Sequence, residues 1–271
     1  MKLLELLAKG QSLVYLVEFD KLEIENFAPL NINFSKIDPQ INRFVIKIFT
    51  LEYQLSIEDQ ILSQLNHPNI IPFFGKYDVS IIPEIKYKIP GSTYFLLFPY
   101  LEAYPLRYLY SVRAHFDVIS DSFLIDFVPK SEFEKFDFVT KSKIIIQILD
   151  TIDYLHRIFI THGDLHANNI LVDKNNFITI IDFGSSIKHK HNTNDIEVQK
   201  LHFFEQKKKE DILSLVNIIR FLIRSTSYRD TLKIPFQNLT RSVVILNEIS
   251  VSDLKYWFQF YSHKIRSLAK L

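Results

Sequence analysis

Apolar residues fall into two regimes along this chain. As far as about Tyr100 they come in short runs of strand length, and beyond it they recur mostly at helical spacing. Val14-Tyr15-Leu16-Val17, Phe44-Val45-Ile46-Lys47-Ile48 and Tyr94-Phe95-Leu96-Leu97-Phe98 are runs of the first kind. Between them Glu58 opens one helical stretch from Ile61 toward Ile70, which Pro68 ends because proline has no N–H to continue a helix. In the second regime Phe138, Ile145, Ile148, Leu149, Ile152 and Leu155 form one stripe and predict a buried helix. Leu171-Val172 and Ile178-Thr179-Ile180-Ile181 predict a short hairpin. The pattern predicts an α+β architecture in two parts, a small β-rich part over residues 1–100 and a larger helical part over 101–271. Residues 18–42, with Pro29 and Pro39, and residues 112–135 show no sustained period and read as insertions.

Composition changes that picture little. With 271 residues and 47% hydrophobic content the chain can bury a sizeable core, which argues against disorder and for one enzyme-sized module over 1–271. A formal net charge of +1 gives no whole-chain attraction to nucleic acid or to an acidic membrane. Lys207-Lys208-Lys209 and Lys188-His189-Lys190-His191 read as solvated basic faces. Without cysteine there is no disulfide framework, thiolate metal site or redox switch. Glu5 and Lys9 interrupt the leucines at the start before they reach the length of a signal peptide, and no run approaches the roughly 18 apolar residues of a membrane span. The expectation is a soluble protein made in a cytoplasm, a pattern that a secreted or viral effector acting in a host cell would share.

Candidate chemistry is concentrated in His162-Gly163-Asp164-Leu165-His166-Ala167-Asn168-Asn169, followed by Asp182-Phe183-Gly184. Phosphoryl transfer needs a carboxylate to take the acceptor proton and oxygen ligands to hold a metal on the phosphates, and Asp164, Asn169 and Asp182 have that order and spacing. Singly, each has a plainer reading: Asp164 as a turn residue, Asn169 as a cap, Lys47 as a solvated lysine. Order and spacing together carry the argument. With Lys47 on its strand-like run and Glu58 eleven positions on, the sequence resembles the protein kinase superfamily over nearly its whole length.

That resemblance implies a bilobal kinase-like fold that binds ATP and Mg²⁺ between its lobes. Lys47, paired with Glu58, would clamp the phosphates; Asp164 would act as the catalytic base; Asn169 and Asp182 would hold the metal. Gly10 and Val14 would belong to the loop covering the nucleotide, Phe98 would be gatekeeper-like, and Pro99, Tyr100 and Leu101 would form a hinge meeting adenine through backbone groups. Glu210-Asp211-Ile212-Leu213-Ser214-Leu215 looks like the start of the large helix after the activation segment, with Asp211 bracing the catalytic loop.

The departures from the family pattern bear on substrate and regulation. Lys9 to Val17 keeps one glycine of the usual three, which implies weaker nucleotide binding. Gly163 stands where many protein kinases have an arginine that pairs with a phosphorylated loop, so activation by that route is not expected. The Ala-Pro-Glu signature is absent, Phe204-Glu205-Gln206 being at best a remnant, and His166 replaces a common lysine. The expected activity is a serine/threonine protein kinase acting on a protein hydroxyl. A small-molecule or sugar kinase of the same fold is the alternative, and a nucleotide-binding pseudokinase is the third. His162 and His166 are four apart, but a zinc pair needs a helix and further ligands, so His162 is read as packing beneath the loop and His166 as lying near the transferred phosphate.

Overall fold

The computed structural model describes residues 2–9, 12–18, 43–49, 51–81, 93–109, 138–189, 195–224 and 250–268. Gly10 and the stretches 19–42 and 112–135, read above as insertions, lie outside the described residues. Two compact units form, one of Met1–Glu102 with Asp182–Ser186 and one of Ala103–Ile181 with Ile187–Leu271.

The first unit is built on an antiparallel sheet of β1 (Lys2–Lys9), β2 (Ser12–Glu18), β3 (Arg43–Phe49), β4 (Gly75–Asp78) and β5 (Tyr94–Pro99), in the order β1-β2-β3-β5-β4. The two-residue period of a strand sends Phe44, Ile46 and Ile48 to one face, where they form a core with Val17, Tyr77, Val79, Phe95 and Leu97. Tyr77 and Phe95 stack there with ring centroids 5.6 Å apart. Full burial of each such side chain stabilises the fold by about 1.5–3 kcal/mol. The same period turns Lys47 to the opposite face.

Helix α1 (Glu52–Leu62) corrects the sequence reading at both ends. It begins six residues before Glu58, which therefore lies in its interior, and it ends well before Pro68. Leu51 precedes it with extended backbone and no side-chain cap, so no capping signature marks the start. At the other end Ser63 donates both N–H and Oγ–H to Asp59 O, at 3.0 and 2.6 Å, and the chain turns locally.

In the second unit α2 (Phe138–Arg157) packs against α3 (Asp195–Arg224) and α4 (Val251–Leu268). Its stripe of Ile145, Ile148, Leu149, Ile152 and Leu155 is buried, as periodicity predicts. Ser252 Oγ on α4 donates to Asp153 Oδ1 on α2 at 2.8 Å, and Lys255 pairs with Asp150. Two small sheets complete the unit, β7 (Ile160–Thr161) with β10 (Ile187–Lys188), and β6 (Ala103–Pro105) with the hairpin β8 (Ile170–Asp173) and β9 (Ile178–Ile180). Helix α3 is a second correction: Glu210 and Asp211 sit mid-helix, because the turns before them stay helical with the i,i+3 pairs Lys208–Glu205 and Lys207–Glu210.

Candidate active site

Three charged side chains meet in the first unit. Lys47 on β3 lies 2.6 Å through Nζ from Glu58 Oε2 on α1 and 2.7 Å from Asp182 Oδ1. Lys47 and Glu58 are buried, whereas the Asp182 side chain is 44% exposed, so one face of the group is open to solvent. Burial works to lower the Lys47 ammonium, but the two carboxylates outweigh it and hold the group above its ordinary 10.5. Two carboxylates share one ammonium, and the one that burial penalises most is Glu58. Desolvation lifts it above 4.5 against the pull of Lys47, with Asp182 adding repulsion.

The backbone locks this group. Phe183 N–H donates to Glu58 Oε1 and Gly184 N–H to Asp182 Oδ1, each at 3.4 Å. Asp182 has φ of 66°, a left-handed conformation that costs a side-chain-bearing residue energy and that Asp tolerates better than most. A Cβ added at Gly184 would lie 3.3 Å from Glu58 Oε2 and 3.4 Å from Asp182 Oδ1, so glycine is what lets the carboxylates close on the lysine. Val14 pairs with Lys47 across β2 and β3. Pro99 ends β5 and has no N–H, and Tyr100 donates its own to Arg43 O at 3.2 Å. Of the three residues expected to form a hinge, Pro99 and Tyr100 thus have no N–H left to offer a ligand.

The second unit holds the loop from His162 to Asn169. Asp211 on α3, 1% exposed, accepts the His162 N–H at 2.9 Å and the Gly163 N–H at 3.0 Å, and its Oδ2 lies 2.9 Å from His156 Nε2. The fully buried His162 accepts the Asp164 N–H at Nδ1, 3.3 Å, which puts its proton on Nε2 for Ile181 O at 3.1 Å. Gly163 has φ of 79°, a conformation that a side chain would strain. Asn169 donates through Nδ2 to Asp164 O at 2.9 Å. The Asp164 carboxylate itself is exposed, with His166 Nε2 3.6 Å from Oδ2. Sequence reasoning missed His156, since a histidine in the last turn of a helix carries no signal of what it faces. The histidine pair lies on a loop, and among the described residues no cluster of His, Asp and Glu fits a metal in the manner of a zinc site.

The pattern of the protein kinase domain matches residues 42–204, more than half of the chain. The chain belongs to the protein kinase family. The matched span includes Lys47, Glu58, Asp164, Asn169 and Asp182. An Aurora kinase from Saccharomyces cerevisiae is 29% identical over 51% of this chain and 29% of its own length. A probable serine/threonine-protein kinase KIN1 homolog from Enterocytozoon bieneusi is 30% identical over 48% of this chain and 16% of its own. A probable cyclin-dependent kinase 10 from Dictyostelium discoideum is 29% identical over 48% and 28%. The match thus spans less than a third of each of these relatives. For a member of the kinase family the β-sheet unit and the helical unit are the expected architecture, and no described helix is long and apolar enough to cross a membrane.

Proposed function

We propose that this protein, acting in the cytoplasm, transfers the γ-phosphate of ATP to a serine or threonine hydroxyl of a protein. The observation that carries this reading is the Lys47–Glu58–Asp182 group, one ammonium held between two carboxylates. Taking such charges out of water costs on the order of several kcal/mol per ion, which makes a purely structural role a poor account of them. An ammonium has three donors; Glu58 and Asp182 take two, and the third suits a phosphate oxygen.

Mg²⁺ would be held by Asp182 and Asn169 and would supply charge neutralisation on the phosphates. Both are hard oxygen donors of the kind Mg²⁺ takes, Asp182 being partly exposed and Asn169 being held by its Nδ2 on Asp164 O. The backbone of Pro99, Tyr100 and Leu101 would meet adenine, and Gly10 and Val14 would take part in binding the nucleotide. Asp164 accepts the acceptor proton; its N–H and C=O are both bonded within the loop, so the main chain aims the carboxylate. The matched relatives named as serine/threonine kinases favour a protein acceptor, by analogy of family.

A small-molecule acceptor is the second reading. It is favoured by α3 starting at Asp195, which leaves only residues 185–194 between Gly184 and the helix, little chain on which to lay a peptide. The deciding experiment offers radiolabelled ATP and Mg²⁺ with generic basic proteins and with a lysate separated into protein and metabolite fractions. Label on protein serine or threonine is expected. Label confined to metabolites would transfer the reading to a small-molecule kinase, and label in neither fraction with ATP still bound would leave a nucleotide-binding module.

A further inference from the structure

Gln147, on α2, belongs to none of the roles above, yet both ends of its amide are committed to main chain. Oε1 accepts the Ile178 N–H at 3.1 Å, and Nε2 donates to Asn176 O at 3.0 Å. Ile178 opens β9, the edge strand in the order β6-β8-β9, and Asn176 lies two residues before it in the turn. One residue of a parallel neighbour bonds its N–H and C=O to groups at this spacing, so the side chain stands in for such a residue where the edge strand begins. The turn beyond is fastened separately: Asp173 Oδ1 accepts the N–H groups of Asn175 and Phe177, each at 2.8 Å. Asn176 takes φ of 63° there.

The other end of this hairpin leads to the site. β8 and β9 pair Ile170 with Ile180 and Val172 with Ile178, and the Ile181 N–H donates to Asn169 O at 3.0 Å. Asn169 therefore stands just before β8 and Ile181 just after β9, with Asp182 next in the chain. A slip of one residue in this short ladder would turn every side chain over. Three residue pairs, flanked by the Asp173 N–H to Phe177 O and Ile181 N–H to Asn169 O bonds, hold the register from within, and the contact with α2 sets where the hairpin sits along the helix.

We infer that Gln147 is a positioning residue for phosphoryl transfer. Its two hydrogen bonds to the hairpin pin the start of β9 to α2, and through the ladder they fix the backbone of Asn169. The inference rests on the reading of Asn169 as a metal ligand, and the test separates the two. Gln147→Leu removes both bonds; Gln147→Glu keeps the acceptor and sets an oxygen against Asn176 O. Amide hydrogen exchange on the full chain is expected to quicken about tenfold at Ile178 in Gln147→Leu, with the loss of protection reaching Ile181. Titration with Mn²⁺ in the presence of ADP, followed by the resonance of free Mn²⁺, is expected to show about tenfold weaker binding, with Gln147→Glu intermediate. Wild-type binding of Mn²⁺ with equal binding by both folded variants would overturn the inference, as would unchanged exchange at Ile178 and Ile181. If the wild-type protein binds no Mn²⁺ with nucleotide, the metal reading of Asn169 falls, and the positioning role falls with it. If Gln147→Leu does not fold, Gln147→Glu alone decides.

Discussion

The two units hold their candidate chemistry by opposite means. In the first, Lys47, Glu58 and Asp182 are joined side chain to side chain, and their charges are what a ligand would meet. In the second, Asp211 is the buried charge, but it is turned inward on the N–H groups of His162 and Gly163, while Asp164 stays in solvent. A group that must balance phosphate charge is best made of charges kept from water, where their interactions are strong. A group that must take one proton needs only to be aimed, and backbone hydrogen bonds aim it without altering its chemistry. The first arrangement should therefore be sensitive to pH and the second to loss of an anchor.

The largest effect follows from the second. Asp211→Ala leaves the buried His162 N–H, the partly buried Gly163 N–H and His156 without their acceptor, and we expect a loss of about 3–5 kcal/mol in denaturant unfolding. Asp211→Asn retains one oxygen and should cost less, and wild-type stability in Asp211→Ala would mean that the loop is anchored elsewhere. Next comes Lys47→Met, which leaves Glu58 buried beside Asp182 with no cation, at about 3 kcal/mol. The lysine is held above 10.5, so its contribution is complete below that value and is lost as pH rises through its folded value. Glu58 is raised above 4.5, so its contribution is complete below that value and is lost as pH rises through its folded value. The deficit of Lys47→Met should accordingly shrink on acidification toward the carboxylate range, and adding Glu58→Gln should flatten that recovery. A deficit independent of pH would contradict the electrostatic account of this unit.

The smallest effect belongs to an exposed carboxylate on backbone. Asp253 Oδ2 accepts the Ser250 N–H at 2.8 Å and Oγ–H at 2.6 Å while the Asp253 N–H returns to Ser250 Oγ at 3.2 Å, a capping box at the start of α4. Those bonds from Ser250 hold the Asp253 carboxyl below 3.8, so their contribution is present above that value and is lost as pH falls through the folded value. Ser250→Ala should cost about 1 kcal/mol in thermal unfolding at neutral pH. A loss as large as that of Asp211→Ala would show that burial is not what separates the two carboxylates.

What was legible in the sequence were the residues whose type and spacing are dictated by chemistry. Lys47 and Glu58 pair as the family resemblance implies, and Asp182, read from the sequence only as a metal ligand, joins them. The hairpin from Ile170 to Ile180 was legible because two short apolar runs flank a polar turn. Helix ends were not: Leu51 starts α1 without a side-chain cap, and Ser63 ends it by bonding Asp59 O, well before Pro68. The start of α3 was hidden because Lys207-Lys208-Lys209 reads as a solvated run, whereas pairs with Glu205 and Glu210 carry the helix through it. Gln147 and His156 were invisible for a further reason. A polar residue on a helix announces nothing of the backbone or carboxylate that the fold brings to it.

The central claim is that Asp164 takes the acceptor proton while Lys47 and Asp182 serve the nucleotide. Its most direct test is Mg²⁺-dependent transfer from radiolabelled ATP by Asp164→Asn, with nucleotide binding followed on the same preparation. Turnover should fall by about 10²–10⁴ while binding stays near the wild-type level. Transfer at the wild-type rate, or loss of nucleotide binding equal to the loss of turnover in the folded variant, would contradict it.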